Sequence, residues 1–187
     1  RVRDMAKHIC AIIVTYQPHL PMLQDLIQRI RQQVSAIVVV DNTRWQGPKT
    51  ILAAIGDCAY LPMGSNKGVA RAFNAGLEWA REQGCSHVLL MDQDSLPCDT
   101  MVQGLSAAED RLLEDGCNVA AVGPTYSDPK FRVMRPFSRA ETWRVRRYQC
   151  QGRDNRTFIP SDFVISSGSL LRISVLDAVG HFDESFF

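Results

Sequence analysis

No apolar stretch in this chain approaches the ~20 residues needed to cross a bilayer; Ile9 to Val14 and Ile37 to Val40 are among the longest. With no signal-peptide pattern either, the expectation is a soluble, cytoplasmic polypeptide. Paired cysteines are also missing. Six are scattered at 10, 58, 85, 98, 117 and 150, without a C-x-x-C pair or a close Cys/His cluster. That excludes a zinc site or a small disulfide scaffold and reads as reduced, mostly buried thiols. Internal repeats and low-complexity segments are absent. A formal net charge of +1 gives no global electrostatic case for nucleic acid. Charge is nonetheless uneven: residues 128–156 carry nine Lys/Arg against three acids, a local +6 that leaves −5 for the rest.

What is present is enough apolar material, 45% of 187 residues, to cover both faces of one sheet. Ile9 to Val14 is a continuous apolar run of the kind found in buried parallel strands. Pro18 and Pro21 then open a helix whose Leu23, Leu26, Ile27, Ile30 and Val34 share one face. Ala36 to Val40 is a second strand, making a right-handed βαβ unit. A short helix over 51–55, a strand at 59–61, a helix closing at Gly84 and the strand 87–91 follow. A helix is expected over 100–114 and a strand over 119–123. Short strands are expected at 161–165 and 169–172, then a helix with Ser174 and Asp177 as a capping box and Gly180 as its stop. The pattern predicts an α/β domain with a mostly parallel, doubly wound sheet.

The most informative motif is Asp92-Gln93-Asp94, directly after the apolar run Val88-Leu89-Leu90-Met91. Two acids released at a strand's carboxyl end put hard oxygen ligands at the mouth of an open α/β sheet, where a metal-bound diphosphate would sit. Asp41 ends the second strand, and Thr15-Tyr16 ends the first, so three strand ends converge on polar chemistry. Asn66 to Gly76 is a loop running into a helix, with small residues at alternate positions. It suits anion binding by backbone N–H groups, with Asn66 and Asn74 fixing the loop or touching ribose and diphosphate. Close packing of the helix on the sheet explains the same residues. His8, His19, His87 and His181 have no partner spacing and read as core or surface residues.

Five stretches in one order carry a resemblance. They are Ile12-Ile13-Val14-Thr15-Tyr16, Val38-Val39-Val40-Asp41-Asn42, Asn66-x-Gly68-x-Ala70-x-Ala72-x-Asn74-x-Gly76, Leu90-Met91-Asp92-Gln93-Asp94-Ser95 and Gly180-x-Phe182-Asp183-Glu184. Together they resemble the inverting glycosyltransferases of family 2, which have the GT-A fold, and among them the rhamnosyltransferase-like members. The resemblance implies a nucleotide-sugar donor, dTDP- or UDP-linked, and a saccharide or lipid-linked acceptor. Thr15 and Tyr16 would flank the base, and Asp41 would accept from the pyrimidine N–H, as an acceptor-only carboxylate can. Asn66, Gly68, Asn74 and Asp92 would complete the nucleotide-sugar site. Asp94 would bind Mg2+ or Mn2+ directly, Asp92 through water or by holding the ribose, while Gln93 points away or braces the loop. The family often has a basic residue just before the second Asn; Phe73 stands there, with Arg71 two residues earlier.

The same resemblance places the catalytic base a few residues beyond Phe187. Of the acids nearby, Asp183 and Glu184 are the low-ranked candidates, better suited to shaping the acceptor pocket. Arg1 is no initiator and the chain stops in Phe186-Phe187, so a longer native protein is expected. On this reading residues 1–187 form one incomplete GT-A domain. The nucleotide-sugar-binding part runs to about 125, and 126–187 hold a basic excursion and the start of the acceptor-binding part. The excursion's arginines (132, 135, 139, 144, 146, 147, 153 and 156) with Phe131, Phe137, Trp143 and Tyr148 read either as a solvated loop or as a patch meeting a lipid diphosphate or the anionic inner face of a membrane. Two rivals stand beside the enzyme: a non-catalytic nucleotide-sugar-binding module, and a sugar-nucleotide nucleotidylyltransferase. The latter needs a Gly-rich basic loop after the first strand, where this chain has Thr15-Tyr16-Gln17-Pro18.

Overall fold

Alternation within the apolar runs decides the architecture. In the computed structural model, which describes residues 7–44, 49–128, 133–134, 137–141, 144–148 and 158–185, β1 (Ile9–Thr15) sends Ile9, Ala11 and Ile13 to one side and Cys10 and Ile12 to the other. The next strand, β2 (Ala36–Asp41), divides Ile37 and Val39 from Val38 and Val40 in the same way. Each side is a separate apolar core, as expected of strands covered on both faces. On the first, α1 (Leu20–Arg31) buries Leu23, Leu26, Ile27 and Ile30, and α2 (Lys49–Ile55) adds Ile51 and Ile55. On the second, α3 (Val69–Glu82) buries Ala72, Phe73, Leu77 and Ala80.

Between these helices, β3 (Ala59–Pro62) pairs in parallel with β2, β2 with β1, and β1 with β4 (His87–Asp92). Helix α4 (Met101–Glu114) follows, then β5 (Ala121–Val122). Two small hairpins come next, one of β6 (Ser127–Asp128) with β7 (Val133–Met134), the other of β8 (Phe137–Glu141) with β9 (Arg144–Tyr148). Last are β10 (Ser169–Arg172) and α5 (Ile173–Val179). The main sheet has the order β3-β2-β1-β4-β10-β5, with β10 antiparallel to both neighbours. The sheet is therefore mostly parallel and wound on both sides, as expected.

Three local expectations change. The strand over 119–123 shrinks to β5, because its pairing with β10 covers only Ala121 and Val122. Residues 161–165 form no strand: their backbone is engaged locally, Ser161 Oγ donating to Phe163 O and Ser169 Oγ to Ile165 O. No side chain caps α5, which begins at Ile173, and Asp177 accepts from Arg81 instead. Nor are the thiols mostly buried: Cys10 and Cys85 are, Cys58 is partly so, and Cys98 and Cys117 are exposed, all five free. Cys150 lies outside the described residues. Among the described residues no helix is long and apolar enough to cross a membrane.

Helix α3 lies close on β1 because Gly76 has no side chain; a Cβ there would run into Ile12 Cγ2. Alanine is the better helix former by ~1 kcal/mol, but here overpacking decides. Gly76→Ala is expected to destabilise the fold by about 1–3 kcal/mol, measured by urea unfolding; unchanged or increased stability would show that the α3–β1 contact has slack.

Candidate functional site

Register brings the strand ends together. Thr15 stands beside Asp41, and Val14 beside Asp92. A cavity of about 410 Å3 opens at these ends, within the range of small-molecule sites. It is lined by Val14 and Thr15 of β1 with the following Tyr16, and by Asp92 of β4 with the following Gln93. Asn42 lines it after β2, and Asn66, Gly68 and Val69 bring the amino end of α3 to its wall. Of the expected residues, Thr15, Tyr16, Asn66, Gly68 and Asp92 thus line one cavity.

Asp41 sits behind that wall. It is 5% exposed, and its Oδ1 accepts from Thr15 Oγ1 at 2.9 Å, Thr43 N at 3.0 Å and Thr43 Oγ1 at 2.6 Å. Tyr60 donates its hydroxyl to Oδ2 at 2.9 Å. A carboxylate offers about four lone-pair sites, so little acceptor capacity remains for a base. Burial, and then the bond to Asp41, push the Tyr60 phenol up to about 12. The next residue, Asn42, holds the α3 loop: its Nδ2 donates to Gly68 O at 3.2 Å and its Oδ1 accepts from Lys67 N at 3.2 Å. Asn66 Oδ1 accepts from Gly68 N at 3.1 Å. Gly68, at φ +85°, takes the left-handed turn into the helix that glycine makes at no steric cost.

At the end of β4, Asp92 is partly buried and Asp94 exposed. Burial raises the Asp92 carboxyl, the Ser166 hydroxyl at 3.3–3.4 Å offsets part of this, and the charge of Asp94 raises it further. Ser95 and Ser167 share a hydrogen bond, tying the acid loop to the 166–168 turn. Two adjacent carboxylates, one pressed toward neutrality by burial and its neighbour, fit a divalent cation. Among the described residues no group of three or more His, Cys, Asp or Glu could hold an ion alone. Other ligands would come from diphosphate and water, as is usual for Mg2+.

Asn74 and Glu184 are used elsewhere. Asn74 brackets Phe182, donating to its O at 2.9 Å and accepting from its N at 2.9 Å, and also donates to Glu184 Oε1 at 2.8 Å. Arg71 lies 3.7 Å from Glu184 Oε2. Phe73 and Phe182 pack with ring centroids 5.7 Å apart. Asn74 therefore fixes the 182–184 segment to α3, and Arg71 pairs with that segment. Asp183 Oδ1 accepts from Ser185 N at 2.9 Å, and hydrogen bonding to the Ser185 side chain first, then to its backbone, holds the Asp183 carboxyl below the ordinary range. Neither Asp183 nor Glu184 lines the cavity. Sequence reasoning gave no site role to Val14, Asn42, Val69 and Ser166. Asn42 had a signal, its place beside Asp41 at a strand end; Ser166 had none.

A doubly wound sheet with a cavity at the carboxyl ends of its strands, Asp92 in the lining and Asp94 two residues on, has the arrangement of α/β proteins that bind ligands at that edge. The chain belongs to glycosyl transferase family 2, whose model matches residues 10–180. It is 31% identical over 183 residues to the dTDP-rhamnosyl transferase RfbF of Shigella flexneri, covering 98% of this chain and 60% of that protein. It is 28% identical over 190 residues to the galactofuranosyltransferase GlfT1 of Mycobacterium tuberculosis, covering 98% and 61%. The chain thus spans about three fifths of each relative. Among solved structures, S. aureus TarS superposes with a TM-score of 0.55 at 15% identity, over 95% of this chain and 30% of that one. The 4-diphosphocytidyl-2C-methyl-D-erythritol synthase of Anaerococcus prevotii gives 0.51 at 12%, over 96% and 81%. The fold is GT-A, and the likeness to the rhamnosyltransferase-like members of the family holds over nearly the whole chain.

Proposed function

We propose that this chain is the donor-binding part of an inverting glycosyltransferase that moves a sugar, L-rhamnose from a dTDP donor, onto a saccharide or lipid-linked saccharide of a cell-surface polysaccharide. The observation that carries the reading is the convergence of three strand ends on one cavity, with Asp92 in its wall and the exposed Asp94 two residues further along the chain. Similarity to a protein named dTDP-rhamnosyl transferase favours that donor. Tyr16, 46% exposed at the rim, is placed to cover the base, with Thr15 beneath. The amino end of α3 offers N–H groups to the diphosphate. A bound Mg2+ or Mn2+, held by Asp94 and through water by Asp92, would neutralise charge on the departing diphosphate. Residues to about 125 hold the donor. The rest face the acceptor, and the exposed arginines 144, 146 and 147 of β9 are suited to a lipid diphosphate or the anionic inner face of a membrane. The excursion's other arginines (132, 135, 139, 153 and 156), with Phe131, Phe137, Trp143 and Tyr148, lie outside the residues whose side chains are described.

A second reading, a nucleotide-sugar-binding module without turnover, is favoured by the engagement of Glu184 with Asn74 and Arg71 and of Asp183 with Ser185. A nucleotidylyltransferase is disfavoured by the end of β1, where Thr15-Tyr16-Gln17-Pro18 replaces a Gly-rich loop. Thermal unfolding with dTDP- and UDP-sugars, with and without Mn2+, tests the common core of these readings. Ligand at ~100 times its Kd adds about 2.7 kcal/mol, or roughly 5–10 °C at this size. No shift with any nucleotide sugar would sink the donor-site assignment. Sugar transfer by the full-length protein then separates enzyme from module.

Asp41→Ala is expected to lose about 2–3 kcal/mol of stability, since the buried Thr15 hydroxyl loses its acceptor. Because Asp41 holds Thr15, which lines the cavity, the substitution should also weaken every pyrimidine nucleotide indirectly, equally with and without Mn2+. A loss seen only with Mn2+ would move Asp41 to the metal shell.

A further inference from the structure

The middle residue of the acid motif does something its neighbours cannot. Gln93 Oε1 accepts from Tyr16 N at 2.7 Å, and Gln93 Nε2 donates to Tyr16 O at 3.2 Å. One carboxamide thus satisfies both backbone groups of the residue that forms the rim of the cavity. Because Val14 stands beside Asp92 in the sheet, the pairing carries the β1–β4 ladder one step beyond its last backbone partners. The following residue, Gln17, has φ +47°, the one positive φ at a non-glycine among the described residues. Side chains with a Cβ avoid that region unless something holds them. Two clasps flank the turn: Gln93 on Tyr16, and Thr43 Oγ1, which accepts from Gln17 N at 2.8 Å. Thr43 in turn donates to Asp41. The Tyr16–Gln17 turn is therefore fixed from β2 on one side and β4 on the other.

We propose that Gln93 is a positioning residue: it locks the Tyr16 backbone, and so the rim ring, in the pose that receives the nucleotide's base. This rests on the donor-site reading above and specifies how that site is kept in shape. The chemistry explains the residue type. Glutamate at the same length offers acceptors and no donor, methionine only a weak sulfur acceptor, and asparagine falls one methylene short. The acid pair is thereby joined to the base end of the cavity by an amide between the two carboxylates, so the diphosphate and base positions are set relative to each other before a ligand arrives.

A double-mutant cycle tests this. Gln93→Met should weaken UDP and dTDP binding by about tenfold, the scale of one to two lost hydrogen bonds, and by the same factor with and without Mn2+. Tyr16→Ala should also weaken binding. In the Tyr16→Ala background, Gln93→Met should then cost less than about twofold more, because a residue acting only through Tyr16 has nothing left to position. Gln93→Glu keeps an acceptor for the Tyr16 N–H and loses only the donor to Tyr16 O, so in the ligand-free protein Gln93→Met should speed exchange of the Tyr16 amide proton and Gln93→Glu should retain more of its protection. Additive losses, a loss confined to Mn2+, or unchanged Tyr16 exchange would each overturn the proposal while leaving the donor site standing. A wild-type chain that binds neither UDP nor dTDP overturns the donor site, and this inference with it.

Discussion

Asp94→Ala is expected to weaken Mn2+-dependent binding of UDP and dTDP at least 100-fold, about 3 kcal/mol, while the thermal midpoint stays within ~2 °C of wild type. Asp94 is exposed, two residues past the last residue of β4, so it contributes no buried packing. Its carboxylate is the more open of two, and a cation that neutralises diphosphate needs at least one ligand free to reach it. Removing Asp94 also removes the like charge that raises the Asp92 carboxyl, so Asp92 should titrate lower in the variant. Isothermal calorimetry with and without Mn2+ reads the first effect and carboxyl NMR titration the second. Affinity in Mn2+ equal to wild type would remove Asp94 from any metal role. Asp92→Ala should also lose binding, but with a stability change, because Ser166 donates to that carboxylate.

How much of this could be read from the chain alone follows from contact range. Strands β1, β2 and β4 are continuous apolar runs flanked by polar residues, a local signal, and so are the amphipathic faces of α1 and α3. Their shared direction places Thr15, Asp41 and Asp92 at one edge without further information. The antiparallel insertion of β10 between β4 and β5 is not local: four residues pair with a strand some eighty positions earlier. The same limit applies in the site. Asn74 reads in its motif as fixing a loop or touching the ligand, and the segment it fixes, 108 and 110 residues away, is not visible from that motif. Asp41 reads as an open acceptor, yet Tyr60 and Thr15 already fill much of its capacity. Chemistry set by a strand's own end is legible; chemistry set by what folds against it is not.

Glu109 shows this most sharply, and Glu109→Gln should be among the most destabilising single substitutions, by about 3 kcal/mol at pH 7. In sequence it is one polar residue in an amphipathic helix. In the fold it is 2% exposed on α4, at the opposite end of the sheet from the cavity. Its Oε2 lies 2.8 Å from Lys7 Nζ and 3.0 Å from His87 Nε2, and its Oε1 is 3.4 Å from Arg172 Nε. That Arg172 nitrogen is buried without a hydrogen-bond partner, so the glutamate's charge compensates it through space. Lys7 also pairs with Asp110 at 2.8 Å. Burial alone would raise the Glu109 carboxyl, but hydrogen bonds from His87 and Lys7 and their charges outweigh it and bring it down to about 2. A depressed folded pKa gives stability that is complete above the ordinary glutamate range near 4.5 and is lost as pH falls toward 2. Urea unfolding between pH 7 and pH 3 should therefore show wild type losing stability over the acid limb, with Glu109→Gln, which cannot titrate there, losing less. The two curves should converge at low pH. A Glu109→Gln protein as stable as wild type at pH 7 would mean that desolvation of the buried charges cancels their attraction, and the cluster would then be neutral to stability.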